Sequence, residues 1–360
     1  MLFLPLYKRI ETGSGSVRFI GMNTGKGFVG CMKDLLRERD LKRTYIIKGA
    51  AGTGKSTLMK KAAEHFEKKG VAVSRYLCSS DPGSLDAVLI GGSVVIADGT
   101  APHERDMRYP GASSQLICLC NFWNKDKLTE RREEIIALSD EKGRRFRRAY
   151  GLLGGMSALS KDKLRDAGEI LDAGKAASAA SRIIDSVHAR SDLPSDPEFC
   201  LRSFGMRGAI RLDTFERIAD KIVWIRDRYA SSAVFMDLLA SKLKSERKRY
   251  FSSPDPLEAG AVAEIYLPDE RTLFTVSETE RPYKVVNMDR FIVKERAAAK
   301  RGVIRLASKC SAMMLGEAER ELAAAAEAHF ALERIYGEQM NFDAVNEYTK
   351  LLIRDIESLL

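Results

Sequence analysis

The stretch Gly49-Ala50-Ala51-Gly52-Thr53-Gly54-Lys55-Ser56 fits the pattern G-x-x-x-x-G-K-[ST] at every position. An apolar run, Tyr45-Ile46-Ile47, leads into it, and residues 56–66 continue with helical, amphipathic spacing. Strand, glycine-rich turn and helix, in that order, are the setting in which this pattern cradles phosphate. The glycines let the backbone aim several N–H groups at one anion, and the new helix adds the unpaired donors and positive end of its first turn. Gly49, Ala50, Ala51, Gly52, Thr53, Gly54, Lys55, Ser56 and Thr57 are therefore the candidate nucleotide-binding residues. The expected ligand is ATP with Mg²⁺, with Lys55 reaching the β- and γ-phosphates and the Ser56 hydroxyl on the metal.

A chain of 360 residues is long for one compact core and predicts two domains. With 45% hydrophobic and 30% charged residues it has the make-up of a soluble globular protein. Its apolar start, Met1-Leu2-Phe3-Leu4-Pro5-Leu6-Tyr7, is short and lacks preceding basic residues, and no later run reaches spanning length. Neither a signal peptide nor a membrane segment is expected, and the predicted location is the cytoplasm. The six cysteines, Cys31, Cys78, Cys118, Cys120, Cys200 and Cys310, form no C-x-x-C pair and read as reduced, mostly buried thiols. Cys118 and Cys120 are expected on one side of a strand. The formal charge of +9 raises nucleic acid as a partner. Its basic runs, at 144–148 and 242–249, lie in helical sequence without an RNA-binding motif, so solvated helix faces are the expectation and nucleic acid is not.

The chain repeats itself. With Met59 set over Met236, the run Tyr45-Ile46-Ile47-Lys48 falls on Ile222-Val223-Trp224-Ile225. Downstream, Arg75-Tyr76-Leu77-Cys78-Ser79-Ser80-Asp81-Pro82 resembles Arg249-Tyr250-Phe251-Ser252-Ser253-Pro254-Asp255-Pro256. Duplication with decay is the reading, because the glycine loop does not survive in the second copy. There Gly49, Gly52, Gly54 and Lys55 fall on Arg226, Tyr229, Ser231 and Ser232. Without the lysine, and with side chains where the backbone must approach a ligand, the second copy is expected not to bind ATP in the usual way.

Strands are predicted at 43–48, 71–78, 86–90 and 93–97, with 115–120 as a further candidate, after strands and glycine turns over 17–30. Strands separated by helices imply a parallel sheet covered on both faces. Helical sequence continues from 125 to about 190, with breaks expected near 151–157. A turn-rich linker at 191–197 divides the chain into a nucleotide-binding domain with a helical extension, 1–195, and a degenerate repeat with C-terminal helices, 196–360. Asn341-Phe342-Asp343 marks a turn and helix start inside the last helical stretch.

Ser93-Val94-Val95-Ile96-Ala97-Asp98 is an apolar run ending in a carboxylate, which makes Asp98 the candidate for holding Mg²⁺ through water. Asp81, also after a strand, is a weaker candidate metal ligand or an Asp-Pro turn residue. Many ATPases carry glutamate directly after the strand-ending aspartate to activate water. Here Gly99 stands there, so His103 or Glu104 from the adjoining loop must serve as base, or hydrolysis is slow. The candidate catalytic set is Lys55, Asp98, His103 and Glu104. Arg105, Arg108, Arg226 and Arg228 are open alternatives for a charge on the transferred phosphoryl group.

Taken together, the loop at 49–56, the segment Cys78-Ser79-Ser80-Asp81-Pro82-x-Ser84-Leu85-Asp86, the stretch Asp98-Gly99-Thr100-Ala101-Pro102-His103 and Tyr109-Pro110-Gly111-Ala112 resemble a family of bacterial two-repeat P-loop ATPases. The resemblance spans nearly the whole chain. It implies an ATP-binding protein of two related α/β units, each a P-loop NTPase-type parallel sheet flanked by helices and carrying a helical extension. Some members have the loop in both units, so its loss in the second is a departure. The expected function is Mg²⁺-dependent ATP hydrolysis by the first unit, with the second regulatory or structural. A kinase acting on a small molecule or nucleotide, and a nucleotide-gated interaction protein with little turnover, are the alternatives; either leaves a protein or small-molecule partner to be identified.

Overall fold

The computed structural model describes residues 7–12, 15–31, 41–101, 104, 106–187, 199–257, 261–280 and 282–360. The predicted linker and the proposed boundary at 195 lie outside these residues. The first half contains β1 (Lys8–Ile10), β2 (Ser16–Phe19), β3 (Gly21–Thr24), β4 (Gly27–Gly30), β5 (Arg43–Lys48), α1 (Lys55–Lys68), β6 (Val73–Leu77), β7 (Leu85–Ile90), β8 (Val94–Asp98) and β9 (Ser114–Cys118). A 3₁₀ turn, Leu119–Phe122, then leads to α2 (Lys125–Glu130), α3 (Arg132–Ile170) and α4 (Ala173–Asp185). The second half contains β10 (Arg202–Gly205), β11 (Gly208–Leu212), α5 (Thr214–Ile218), β12 (Lys221–Arg226), α6 (Ser231–Ser245), β13 (Phe251–Pro254), β14 (Val262–Leu267), β15 (Thr272–Thr275) and β16 (Lys284–Asn287). The 3₁₀ turn Met288–Phe291, α7 (Lys294–Gly337) and α8 (Phe342–Leu359) complete it. The fold is mixed α/β, with no helix among the described residues long and apolar enough to cross a membrane.

The first sheet runs β2-β6-β7-β8-β5-β9. It is not the wholly parallel sheet expected from sequence, because β7 is antiparallel to both β6 and β8. Only short segments join these three strands, and the turn from β7 to β8 passes through Gly91 and Gly92 at positive φ. Connections that short can only reverse the chain, whereas a parallel neighbour needs a crossover of a dozen or more residues. The α1 crossover leaves β5 parallel to β8, and β9 is parallel to β5. The second sheet runs β13-β14-β15-β12-β16, the order of β6-β7-β8-β5-β9, and each neighbouring pair has the same sense as its counterpart. Even the register shift after Tyr76 in β6 recurs after Ser253 in β13.

That shared irregularity corrects one sequence alignment. It sets Tyr76 opposite Ser253 in the comparison of halves, whereas the Arg-Tyr…Ser-Ser likeness set Tyr76 on Tyr250. Ser79 and Ser80 come after β6, but Ser252 and Ser253 lie within β13. The likeness of 75–82 to 249–256 is therefore out of register with the strands that carry it.

Packing crosses between the two halves in both directions. Residues Val345, Leu352 and Ile356 of α8 join Leu58, Met59 and Phe66 of α1 in the core over the first sheet. Ala176, Ala180 and Ile184 of α4 join Phe235, Met236 and Leu239 of α6 over the second. β1 pairs in parallel with β11, and α3 lies along α7. The buried Glu321 carboxylate of α7 receives Arg145 and Arg148 of α3, each at 3.1 Å, which accounts for two charges of the basic run at 144–148.

No break interrupts α3 at 151–157, contrary to expectation. Its glycines there serve close approach rather than a turn. A Cβ on Gly25 would fall 2.7 Å from Gly154 Cα, and one on Gly155 would fall 3.1 Å from Met314 Sδ. The cysteine reading is corrected as well: Cys31 is bonded to Cys200 and Cys118 to Cys120, leaving Cys78 and Cys310 as free thiols. The strand ends at Cys118, and the 3₁₀ turn carries Cys120 back beside it at a Cα separation of 5.2 Å.

Candidate functional site

Residues 49–54 connect β5, the strand between β8 and the edge strand β9, to α1. Gly52 and Gly54 hold φ of 74° and 90°, a region where side-chain-bearing residues are strained, so glycine is required at both. Gly54 is also the N-cap of α1 and brings no side chain to its first-turn donors. Thr53 Oγ1 donates to Ala50 O at 2.9 Å and holds the loop closed on itself. The Lys55 ammonium curls back to donate to Gly49 O and Ala50 O at 2.9 and 2.8 Å.

Asp98, at the end of β8, lies beside it, with 3.6 Å between Lys55 Nζ and Asp98 Oδ2. The other carboxylate oxygen accepts the Thr100 N–H at 2.8 Å and its hydroxyl at 2.6 Å. Burial pushes the Asp98 carboxyl above the usual carboxylate range, against the Lys55 charge and the Thr100 hydrogen bonds, and the negative charge of Asp86 adds to the rise. The Ser56 hydroxyl accepts the Leu85 N–H at 2.9 Å, which ties the start of β7 to the start of α1. The structure thus brings Lys55, Ser56 and Asp98 together. Among the described residues no group of three or more His, Cys, Asp or Glu side chains is arranged to hold a metal unaided. The hydroxyl and carboxylate oxygens here fit Mg²⁺ none the less, since that ion takes one or two carboxylates with water and substrate phosphate filling its shell.

Other predicted residues lie differently. Asp81 is engaged in its own turn, accepting Gly83 N–H at 3.1 Å and the Ser84 hydroxyl at 3.0 Å. Glu104 is exposed, while His103 and Arg105 lie outside the described residues. Arg228 pairs with Asp289 at 3.2 Å, within the second half. Two residues that sequence reasoning gave no role also stand near the site. Asp86, buried at the start of β7, acts on Asp98 through its charge, although nothing in the Cys78–Asp86 segment singles it out. Lys142 on α3 is half-buried, and burial together with the Lys55 charge holds its ammonium below the ordinary lysine range. Nothing in a long charged helix distinguishes such a lysine from its neighbours.

The second half also contacts the loop. A Cβ on Gly52 would lie 2.2 Å from Glu333 O of α7, and one on Gly54 would lie 3.4 Å from the Phe342 ring at the start of α8. No protein-family model matches the chain, and no curated protein or solved structure does either.

At the corresponding corner of the second sheet, only residues 227–230 join β12 to α6, against six in the first half. The gapless alignment that set Gly49 on Arg226 is not kept, since Arg226 still belongs to the strand. Asp227 fills the turn instead. Its carboxylate accepts Tyr229 N–H, Ser231 Oγ–H and Ser232 N–H, each at 2.8 Å. The cavity lined by Ala230, Ser232 and Val276 is about 10 Å³, room for about one water.

Proposed function

We propose that the first half binds Mg–ATP on residues 49–57 and hydrolyses it, and that the chain is a tandem duplication whose second copy has lost the site. The observation that carries the reading is Lys55: a glycine loop between a parallel strand and a helix turns its ammonium onto the loop carbonyls, 3.6 Å from a strand-ending carboxylate. On this reading Lys55 moves from Gly49 O and Ala50 O to the β- and γ-phosphates, and the free first-turn N–H groups of α1 receive the phosphate oxygens. Ser56 and Asp98, the latter through water, would hold Mg²⁺, which supplies charge neutralisation on those oxygens. Glu104 or His103 would take the proton of the attacking water. The matching strand orders of the two sheets support duplication, and the Asp227 carboxylate supports loss of the second site, because it already occupies the anion position at the α6 N-terminus. The likeness to the two-repeat P-loop ATPases agrees with duplication, and the loss is a departure from members that carry the loop in both units.

Lys55→Ala should abolish ATP binding and turnover, while Ser232→Ala should leave both near wild type. Equal turnover in the Lys55→Ala protein would remove the proposal. One observation favours a kinase as second reading: Gly99 comes directly after Asp98 and donates its N–H to Ile47 O at 2.9 Å, so no carboxylate stands where many ATPases place their base. Steady ADP release with no added acceptor supports the hydrolase, and ADP release only with an acceptor supports the kinase.

A further inference from the structure

Beside the glycine loop lies an open groove of about 580 Å³, within the range of small-molecule sites. One wall continues from β9 and includes Asn121, Trp123 and Asn124; the other is the α7–α8 elbow and includes Gln339 and Asn341. Both walls begin at residues that touch the loop. A Cβ on Gly49 would lie 3.4 Å from Leu119 Cβ, two residues before Asn121, and one on Gly337 would lie 3.7 Å from Gly52 O. The walls are joined by backbone hydrogen bonds from Asn124 N to Gln339 O and from Asn341 N to Phe122 O, both 2.8 Å. The groove is thus a built feature at a fixed position relative to the loop.

Its lining combines an aromatic face with carboxamides. Trp123 packs against Tyr336 at a centroid distance of 5.6 Å and is partly buried, with some of its ring still accessible. Asn124 and Asn341 cap α2 and α8 through Oδ1 alone, accepting from Lys127 N and Ala344 N, which leaves their N–H₂ groups for a ligand. A planar base needs a ring to stack on, and those N–H₂ donors match the acceptor nitrogens on a purine edge.

We propose that this groove is the nucleoside end of the ligand site, with Trp123 stacking on the purine base of a nucleotide whose phosphates lie on the glycine loop. The inference rests on the phosphate-binding reading and adds the residues that select a nucleotide over a bare polyphosphate. It also makes the site a joint product of the two halves, since Gln339 and Asn341 come from the second.

Calorimetric titration of the full chain with Mg–ATP and, separately, magnesium tripolyphosphate tests it. Trp123→Ala should weaken ATP about tenfold or more and leave tripolyphosphate within about twofold, as expected from loss of one base–aromatic stack. Trp123→Phe should restore most of the affinity. Gln339→Ala, a milder change at the elbow, should also weaken ATP alone. The chain has two tryptophans, so a Trp224→Phe background isolates Trp123, whose emission should respond to ATP and not to tripolyphosphate. Equal weakening of both ligands by Trp123→Ala, no weakening of either, or wild-type protein binding tripolyphosphate as tightly as ATP would overturn the inference while leaving the phosphate reading intact. Wild-type protein binding neither ligand would overturn both.

Discussion

Gly52 is held by two independent constraints, its φ of 74° and the Glu333 carbonyl packed against it. Gly52→Ala should therefore cost stability twice, through about 1–3 kcal/mol of backbone strain and through displacement of α7 from the loop. Urea denaturation should show a lower midpoint with an unchanged slope. An unchanged midpoint would mean that α7 does not rest on the loop in solution. Asp98 is predicted to behave in the opposite way. Its carboxyl is held above the ordinary value in the folded chain, so the native state keeps that proton longer, and stability falls as pH rises from the unfolded value towards the folded one. At neutral pH the ionised group is a net burden, which is common at sites shaped for function. Asp98→Asn should raise stability at about pH 7 and abolish Mg²⁺-dependent turnover, and the stability gain should vanish below about pH 4, where the wild-type carboxyl is itself neutral. Parallel melts at the two pH values decide it.

At the scale of single elements, much was legible. The strand expected at 43–48 is β5, Arg43–Lys48, because a short β-branched and aromatic run bounded by a glycine loop has few alternatives. Asn341 caps α8 through Ala344 N, as its turn chemistry implied. The closeness of Lys55 to Asp98 was readable from their places beyond the end of one apolar strand and at the end of its neighbour. The failures have physical causes. Glycines at 151–155 look like breaks in one dimension, and only the neighbouring Gly25 backbone and Met314 show that they are contact points. Asp227 was invisible because a gapless alignment hid a shortened loop. That residue makes an element-scale prediction: Asp227→Ala removes the acceptor of three hydrogen bonds at the start of α6 and should destabilise the protein by about 1–2 kcal/mol in denaturant titration, as loss of a strong N-cap does. It should not create a second ATP site, since no lysine stands there, and binding stoichiometry should stay unchanged.

Across the whole molecule, the exchange of α4 and α8 was beyond the reach of the sequence. An amphipathic stripe states that a helix must be buried, not which sheet will bury it. Once observed, the exchange explains how a second half with no glycine loop between β12 and α6 stays necessary to the first. Val345, Leu352 and Ile356 close the first core, and Asp355 accepts the Tyr45 hydroxyl at 2.5 Å in the strand that leads to the loop. His65 and Glu357 pair at 2.7 Å across the same interface, and Lys69 bonds Glu357 too. Removing residues 342–360 would delete those three buried aliphatic side chains and uncover Leu58, Met59 and Phe66 beneath them, a loss of roughly 4–9 kcal/mol of apolar burial as an upper figure. That is comparable to the whole stability of an ordinary domain, about 5–15 kcal/mol. The truncated chain should therefore lose hydrogen-exchange protection through β5, α1 and β8. Protection should persist in β12, α6 and β15, whose core is closed by α4 instead. Loss spread evenly over both sheets would show that the long α3–α7 pair makes the two units one cooperative body. Undiminished protection in β5 would show that α8 is a cover and not a member of the first core. Selective loss, with ATP binding lost alongside it, would place the stability of the loop in the hands of the opposite half of the chain.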